Sequence, residues 1–212
     1  MNPPHDFRFG TVGPTIDGVE VKIADDGEIL SRGPHIMKGY YKDEAGTREA
    51  INEEGWFHTG DIGIVEDGYL RITDRKKNII VTAGGKNIAP APIEGAICMS
   101  KFFEQALVHG DRRKFVSAIL VPNFTEVGEW AADNEITDVT PEALCENPKV
   151  YEMLMTEVAG IMENFSGYEA VKEAIILPQE FSVEDGTLTP TLKIKKRVVE
   201  ERYKAKLDAL YE

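Results

Sequence analysis

The sequence predicts an α+β chain in two parts. Residues 1–75 read as a small β-rich subdomain, and residues 76–212 as an α+β domain with a small mixed sheet and helices. Three observations carry this. Short apolar alternations punctuated by glycine fill the first third. The charged run Asp74-Arg75-Lys76-Lys77-Asn78 marks a change of texture. Beyond it, compact apolar runs of strand length interleave with segments of helical period.

Each element follows from its residues. Val19, Val21 and Ile23 alternate with polar positions, Asp25-Asp26-Gly27 makes a turn, and Glu28-Ile29-Leu30 resumes. Residues 43–52 read as a short helix. A second hairpin runs from Ile62 and Ile64 through Glu66-Asp67-Gly68 to Tyr69–Ile72. Frequent glycine turns between short strands predict a small barrel or meander. Ile79-Ile80-Val81 leads into Gly84-Gly85, another hairpin. Residues 90–99 read as a helix with Pro92 near its first turn. Ala106–Val108, Val116–Val121 and Ala174–Leu177 read as strands, and residues 124–134 as a helix. Leu154, Val158, Ile161 and Phe165 share one apolar face, which predicts a helix over 148–165 ended by Gly167. A basic final helix is expected over about 194–210.

Composition narrows the function classes. The 212 residues are 42% hydrophobic and 29% charged, the mix of a globular protein rather than a disordered or disulfide-built one. The net charge of -13 argues against general binding to a nucleic-acid backbone. That charge is local: residues 122–190 hold 15 acids and 2 bases, and the remainder is neutral. Cys98 and Cys145 lie far apart without metal-ligand spacing and read as reduced core cysteines, as in a cytoplasmic protein. No apolar run approaches the roughly 18 residues of a membrane span, and the start lacks a signal-peptide pattern. His5, His35, His58 and His109 form neither a metal spacing nor a nucleophile–base motif and read as structural; His58, three residues before Asp61, is alternatively placed to support that residue.

Three motifs stand above composition: Gly55-Trp56-Phe57-His58-Thr59-Gly60-Asp61, the stretch Thr73–Ile88 running on to Ile93-Glu94, and Leu188-Thr189-Pro190-Thr191-Leu192-Lys193-Ile194-Lys195-Lys196. In this order and at these separations they resemble the adenylate-forming superfamily of acyl-CoA synthetases, luciferases and adenylation domains. Gly27–Pro34 and Met37–Tyr41 are similar to that family as well, so nearly the whole chain is covered. Thr189–Lys193 and the acidic stretch before it resemble the long-chain fatty-acid:CoA ligases.

The resemblance implies site residues, each with a plainer alternative. Asp61 matches the aspartate that accepts both ribose hydroxyls of ATP; a carboxylate has the acceptors for this, but a strand-end turn also suits Asp. Arg75 implies a nucleotide contact through its fork of donors; otherwise it is a surface arginine. Lys77 matches the hinge about which the second domain rotates, or sits in a solvated turn. Gly85 implies a wall of the pantetheine tunnel, where a side chain would obstruct CoA, whereas a glycine of this hairpin is also needed for positive φ. Lys86 is a weaker match to a residue facing CoA phosphates. Lys193 matches the catalytic lysine of adenylation, which bridges the acyl carboxylate and the α-phosphate. It is expected in an extended loop rather than on a helix face.

The family's phosphate loop and its adenine- and magnesium-contacting segment find no match here. The chain therefore resembles the C-terminal part of a longer synthetase, expected to be inactive alone, with fatty acid, ATP and CoA as partners of the whole and Mg2+ held on the N-terminal part. Membrane contact and oligomeric state stay open. Two alternatives remain: a stand-alone non-catalytic module binding nucleotide or a partner, and another acid:CoA ligase or adenylation domain.

Overall fold

The computed structural model describes residues 2–4 and 6–212, so the reading of His5 lies outside the described residues. The chain is mixed α+β and divides into two units, Met1–Ile79 and Ile80–Glu212.

The first unit is built on a five-stranded antiparallel sheet. Its strands are β1 (Gly13–Pro14), β2 (Glu20–Ile23), β3 (Glu28–Arg32), β4 (Phe57–Glu66) and β5 (Tyr69–Arg75), in the order β1-β5-β4-β3-β2. The sequence expected a barrel or meander. It is a meander, with consecutive strands paired and β1 added beside β5. Helix α1 (Glu44–Ala50) starts at Asp43, whose side chain accepts from the Gly46 N–H. At the end of β5 the chain tightens into a 3-10 turn, Lys76–Asn78.

The second unit opens with the two-residue hairpin strands β6 (Ile80–Val81) and β7 (Asn87–Ile88), then helix α2 (Pro90–Cys98). Its main sheet has β9 (Val116–Pro122) between β8 (Phe103–His109), antiparallel to it, and β10 (Val171–Ile176), parallel to it. Every residue of β9 is buried, which explains its unbroken apolar run: both faces of the sheet are covered. Ala118 and Leu120 join one core with α2, α3 (Phe124–Asp133), α4 (Pro141–Glu146) and α5 (Pro148–Met162). Ile119 and Val121 join a second core with Phe181, Leu188 and the C-terminal helices α6 (Lys196–Arg202) and α7 (Lys204–Ala209). Asn123 and Asn147 cap α3 and α5, and Pro148 occupies the first turn of α5, where no N–H is needed.

Three expectations are corrected, and one helix is new. Helix α5 ends at Met162, before Phe165 and Gly167, because Asn164 and Ser166 are poor helix formers and the Ser166 N–H bonds the Glu169 carboxylate instead. Phe165 still packs on the core. The single final helix is two, broken at Tyr203 (φ -104, ψ 16). The cysteines are not core residues: Cys98 is exposed and Cys145 half-buried, both free thiols. The Cys145 thiol is pushed up to about 11, chiefly by burial and then by Glu142. Helix α4 escaped the sequence reading because six residues are too few to display a helical period. Among the described residues no helix is long and apolar enough to cross a membrane.

Candidate functional site

In the first unit, Asp61 and Arg75 are cross-strand partners of β4 and β5. Their side chains meet, with Arg75 Nε 2.6 Å from Asp61 Oδ1. Asp61 lies inside a ten-residue strand rather than at a strand end, so the turn explanation fails. The pair joins two residues that the sequence singled out separately. One bond to Oδ1 leaves acceptor capacity on the carboxylate, and Arg75 keeps unused donors. A vicinal diol and a phosphate oxygen suit that pair of groups. Arg75 does not draw its partner from the Asp74 carboxylate, which instead accepts from the Arg75 backbone N–H and Asn78 Nδ2.

Beside this pair lies a charge cluster that sequence reasoning missed. Glu28 is buried within β3, its side chain 4% exposed. Its Oε1 accepts from the Gly60 N–H at 2.9 Å, and its Oε2 lies 2.9 Å from both His58 Nδ1 and Lys76 Nζ. Lys76 also meets Asp26 at 2.7 Å. Burial raises the Glu28 carboxyl, but the bonds from His58, Lys76 and Gly60 outweigh it and hold the group below its usual range. The available signal was a glutamate two positions before Leu30, hence on the same strand face as a core residue. His58 is thus a charge-cluster member. His35 bonds Ser31 Oγ, and His109 bonds Glu200.

Lys77 is exposed in the middle of the 3-10 turn. In the second unit, Gly84 and Gly85 lie in the loop between β6 and β7, closed by the Gly85 N–H to the Thr82 carbonyl and by the Thr82 N–H to the Lys86 carbonyl. Gly85 has φ +72, and a Cβ built on it would meet nothing within 4 Å. The glycine of this hairpin that needs positive φ is therefore Gly85 itself. A substitution is disfavoured by backbone conformation, not by space. Gly85→Ala should lower the unfolding free energy by about 1–2 kcal/mol. Gly84→Ala should change it by no more than about 0.5 kcal/mol. Urea unfolding of the two variants makes the comparison. Lys86 stacks over the Tyr168 ring, its Nζ 5.4 Å from the centroid.

Lys193 sits on a tight hairpin, which corrects the extended loop. The Leu192 N–H donates to the Thr189 carbonyl around Pro190, and the Thr189 N–H donates to the Lys193 carbonyl. Leu188 and Ile194 bridge as an antiparallel pair and anchor the hairpin in the second core. Behind it, Asp185 accepts from Thr187 and Arg202, which hold its carboxyl far below the usual range. The Lys193 backbone N–H bonds Thr189 Oγ1, while its exposed side chain has no ion-pair partner among the described residues. The lysine is presented on a hydrogen-bonded hairpin, its ammonium without an ion pair among the described residues.

Residues 77–212 match the family model described as AMP-binding enzyme C-terminal domain. The chain belongs to the AMP-binding enzymes. Within this adenylate-forming superfamily, its sequence relatives include fatty-acid–CoA ligases. It is 39% identical over 209 residues to long-chain-fatty-acid–CoA ligase FadD15 of Mycobacterium tuberculosis, covering 98% of this chain and 35% of that protein. It is 34% identical over 226 residues to long-chain-fatty-acid–CoA ligase 1 of Cavia porcellus, covering 100% of this chain and 32% of that protein. This AMP-binding enzyme chain thus spans about a third of the length of the curated relatives it matches. The A domain of carboxylic acid reductase from Segniliparus rugosus, solved with AMP and a co-purified carboxylic acid, shares the fold. Its TM-score is 0.73 at 24% identity, over 93% of this chain and 32% of that one.

Proposed function

We propose that this chain is the C-terminal part of an ATP-dependent, AMP-forming long-chain fatty-acid:CoA ligase. The observation that carries the reading is the likeness to long-chain fatty-acid–CoA ligases along 98–100% of this chain. The geometry of Asp61, Arg75 and Lys193 supports it.

In the first half-reaction the fatty-acid carboxylate attacks the α-phosphate of ATP. An O–P bond forms, pyrophosphate leaves, and acyl-AMP results. Asp61 accepts from the ribose hydroxyls and Arg75 donates to ribose or phosphate. The approach sets anion against anion. Lys193, with three donors and no ion-pair partner among the described residues, bridges the acyl oxygen and the α-phosphate and stabilises the charge that builds in the transition state. In the second half-reaction the CoA thiol attacks the acyl carbonyl, losing its proton as the thioester forms, and AMP departs. Rotation about Lys77 takes Lys193 away and brings the Gly85 loop to the site, where the missing side chain leaves room for pantetheine. Lys86 faces the CoA phosphates. Among the described residues no three His, Cys, Asp or Glu side chains come together as metal ligands. In this proposal Mg2+ is held on the N-terminal part of the enzyme, as the family resemblance implies.

The test compares the 212-residue chain with a full-length enzyme containing it, assayed for fatty-acid-dependent pyrophosphate exchange and acyl-CoA formation. Turnover is expected in the full-length enzyme and none in the chain alone. A full-length enzyme that binds ATP yet activates no fatty acid would overturn the reading in favour of another acid substrate or a non-catalytic module.

A further inference from the structure

Glu28 contacts both segments that carry the proposed nucleotide pair. Its Oε1 holds the N–H of Gly60, the residue before Asp61. Its Oε2 holds the ammonium of Lys76, the residue after Arg75 and before Lys77. One buried carboxylate on β3 thus braces β4 and the end of β5 at the points flanking the Asp61–Arg75 ion pair.

The physics makes this a coupling and not a coincidence of neighbours. A carboxylate 4% exposed is tolerable only while its hydrogen bonds are made. Displacing Gly60 or Lys76 leaves a buried charge short of a partner, so both segments are held together or released together. Gly60 has φ +71, and this left-handed backbone is the conformation in which its N–H reaches Glu28. The Lys76–Asp26 contact is half-exposed on both sides and contributes little by itself. The buried end at Glu28 is the one that matters.

We propose that Glu28 and Lys76 are positioning residues: together they set the Asp61–Arg75 pair for nucleotide. This rests on the ligase reading above. It adds two residues to that reading, neither of which touches substrate.

The experiment uses the full-length enzyme, with KM for ATP, KM for fatty acid and kcat measured by pyrophosphate release, and melting temperatures for each variant. Lys76→Met and Glu28→Gln should raise the KM for ATP about tenfold while the KM for fatty acid moves less than about twofold. Lys76→Arg, which keeps the charge and the donors, should recover most of the loss. Glu20→Gln, in an exposed pair on β2 of the same sheet, serves as the control. If Glu28→Gln does not fold, Lys76→Met decides, since that side chain is 48% exposed. An unchanged KM for ATP in folded Lys76→Met overturns the proposal, and so does a loss that follows melting temperature and affects both substrates alike. A wild-type enzyme that activates no fatty acid overturns the ligase reading and this proposal with it. An active wild type with indifferent variants overturns the positioning role alone.

Discussion

Replacing Lys193 by alanine in the full-length enzyme should lower acyl-AMP formation by roughly 10²–10³-fold, the scale of losing one preorganised electrostatic contact to a transition state. Thioester formation from supplied acyl-AMP should stay within about twofold of wild type, because the lysine acts on charge that only the first half-reaction develops. The two half-reactions are measured separately, by fatty-acid-dependent pyrophosphate exchange and by CoA consumption with synthetic acyl-AMP. Equal loss in both would remove the role from Lys193 and point to damage of the hairpin. The fold argues against such damage. The hairpin is held by backbone bonds, the Leu188–Ile194 bridge and the Asp185–Arg202 contact, none of which uses the Lys193 ammonium. The substitution therefore removes a charge and leaves its support in place.

The largest stability effect is expected at the centre of the second unit. Leu120 on β9 is fully buried and packs in the core that α2, α3, α4 and α5 close. Leu120→Ala deletes buried methyl groups at a place where neighbours on the adjacent strands limit collapse, so it should cost about 2–5 kcal/mol. Urea unfolding of the 212-residue chain reads the change as a fall in midpoint at constant slope. A cost under about 1 kcal/mol would mean that β9 is less tightly enclosed than its exposure indicates. Leu192→Ala is the contrast: this turn residue is 73% exposed and removes little from the core. Its effect should lie within about 0.5 kcal/mol.

β9 was readable because a continuous apolar run of strand length admits one comfortable solution, a strand covered on both faces. The hairpins around Gly27 and Gly68 were readable because turn chemistry is local. Lys193 was readable through its motif, yet the conformation presenting it was not: a tight turn around Pro190 and an extended loop both satisfy Thr-Pro-Thr. The end of α5 and the break at Tyr203 were missed because helix boundaries depend on which competing local bonds win, as the Ser166–Glu169 bond shows.

By itself the sequence determined the α+β class, the place where the texture changes near residue 75, the buried strands of the second unit and the motif residues Asp61, Arg75, Lys77, Gly85 and Lys193. Those are properties of local pattern, spacing and residue type. Only the tertiary structure decided which charges meet. Asp61 and Arg75 are 14 positions apart and meet through the register of β4 on β5; Glu28 and Lys76 are 48 apart and meet because the turn after β5 returns Lys76 to β3. Long-range pairing of charges carries no periodicity, so a linear reading can place Glu28 on a core-facing strand position but cannot say which charges it meets. The same residues look like solvated surface until the sheet closes around them. Glu28 shows the difference most clearly: in the sequence it is one acid among 37, and in the fold it is the buried carboxylate that braces the proposed nucleotide pair from both sides.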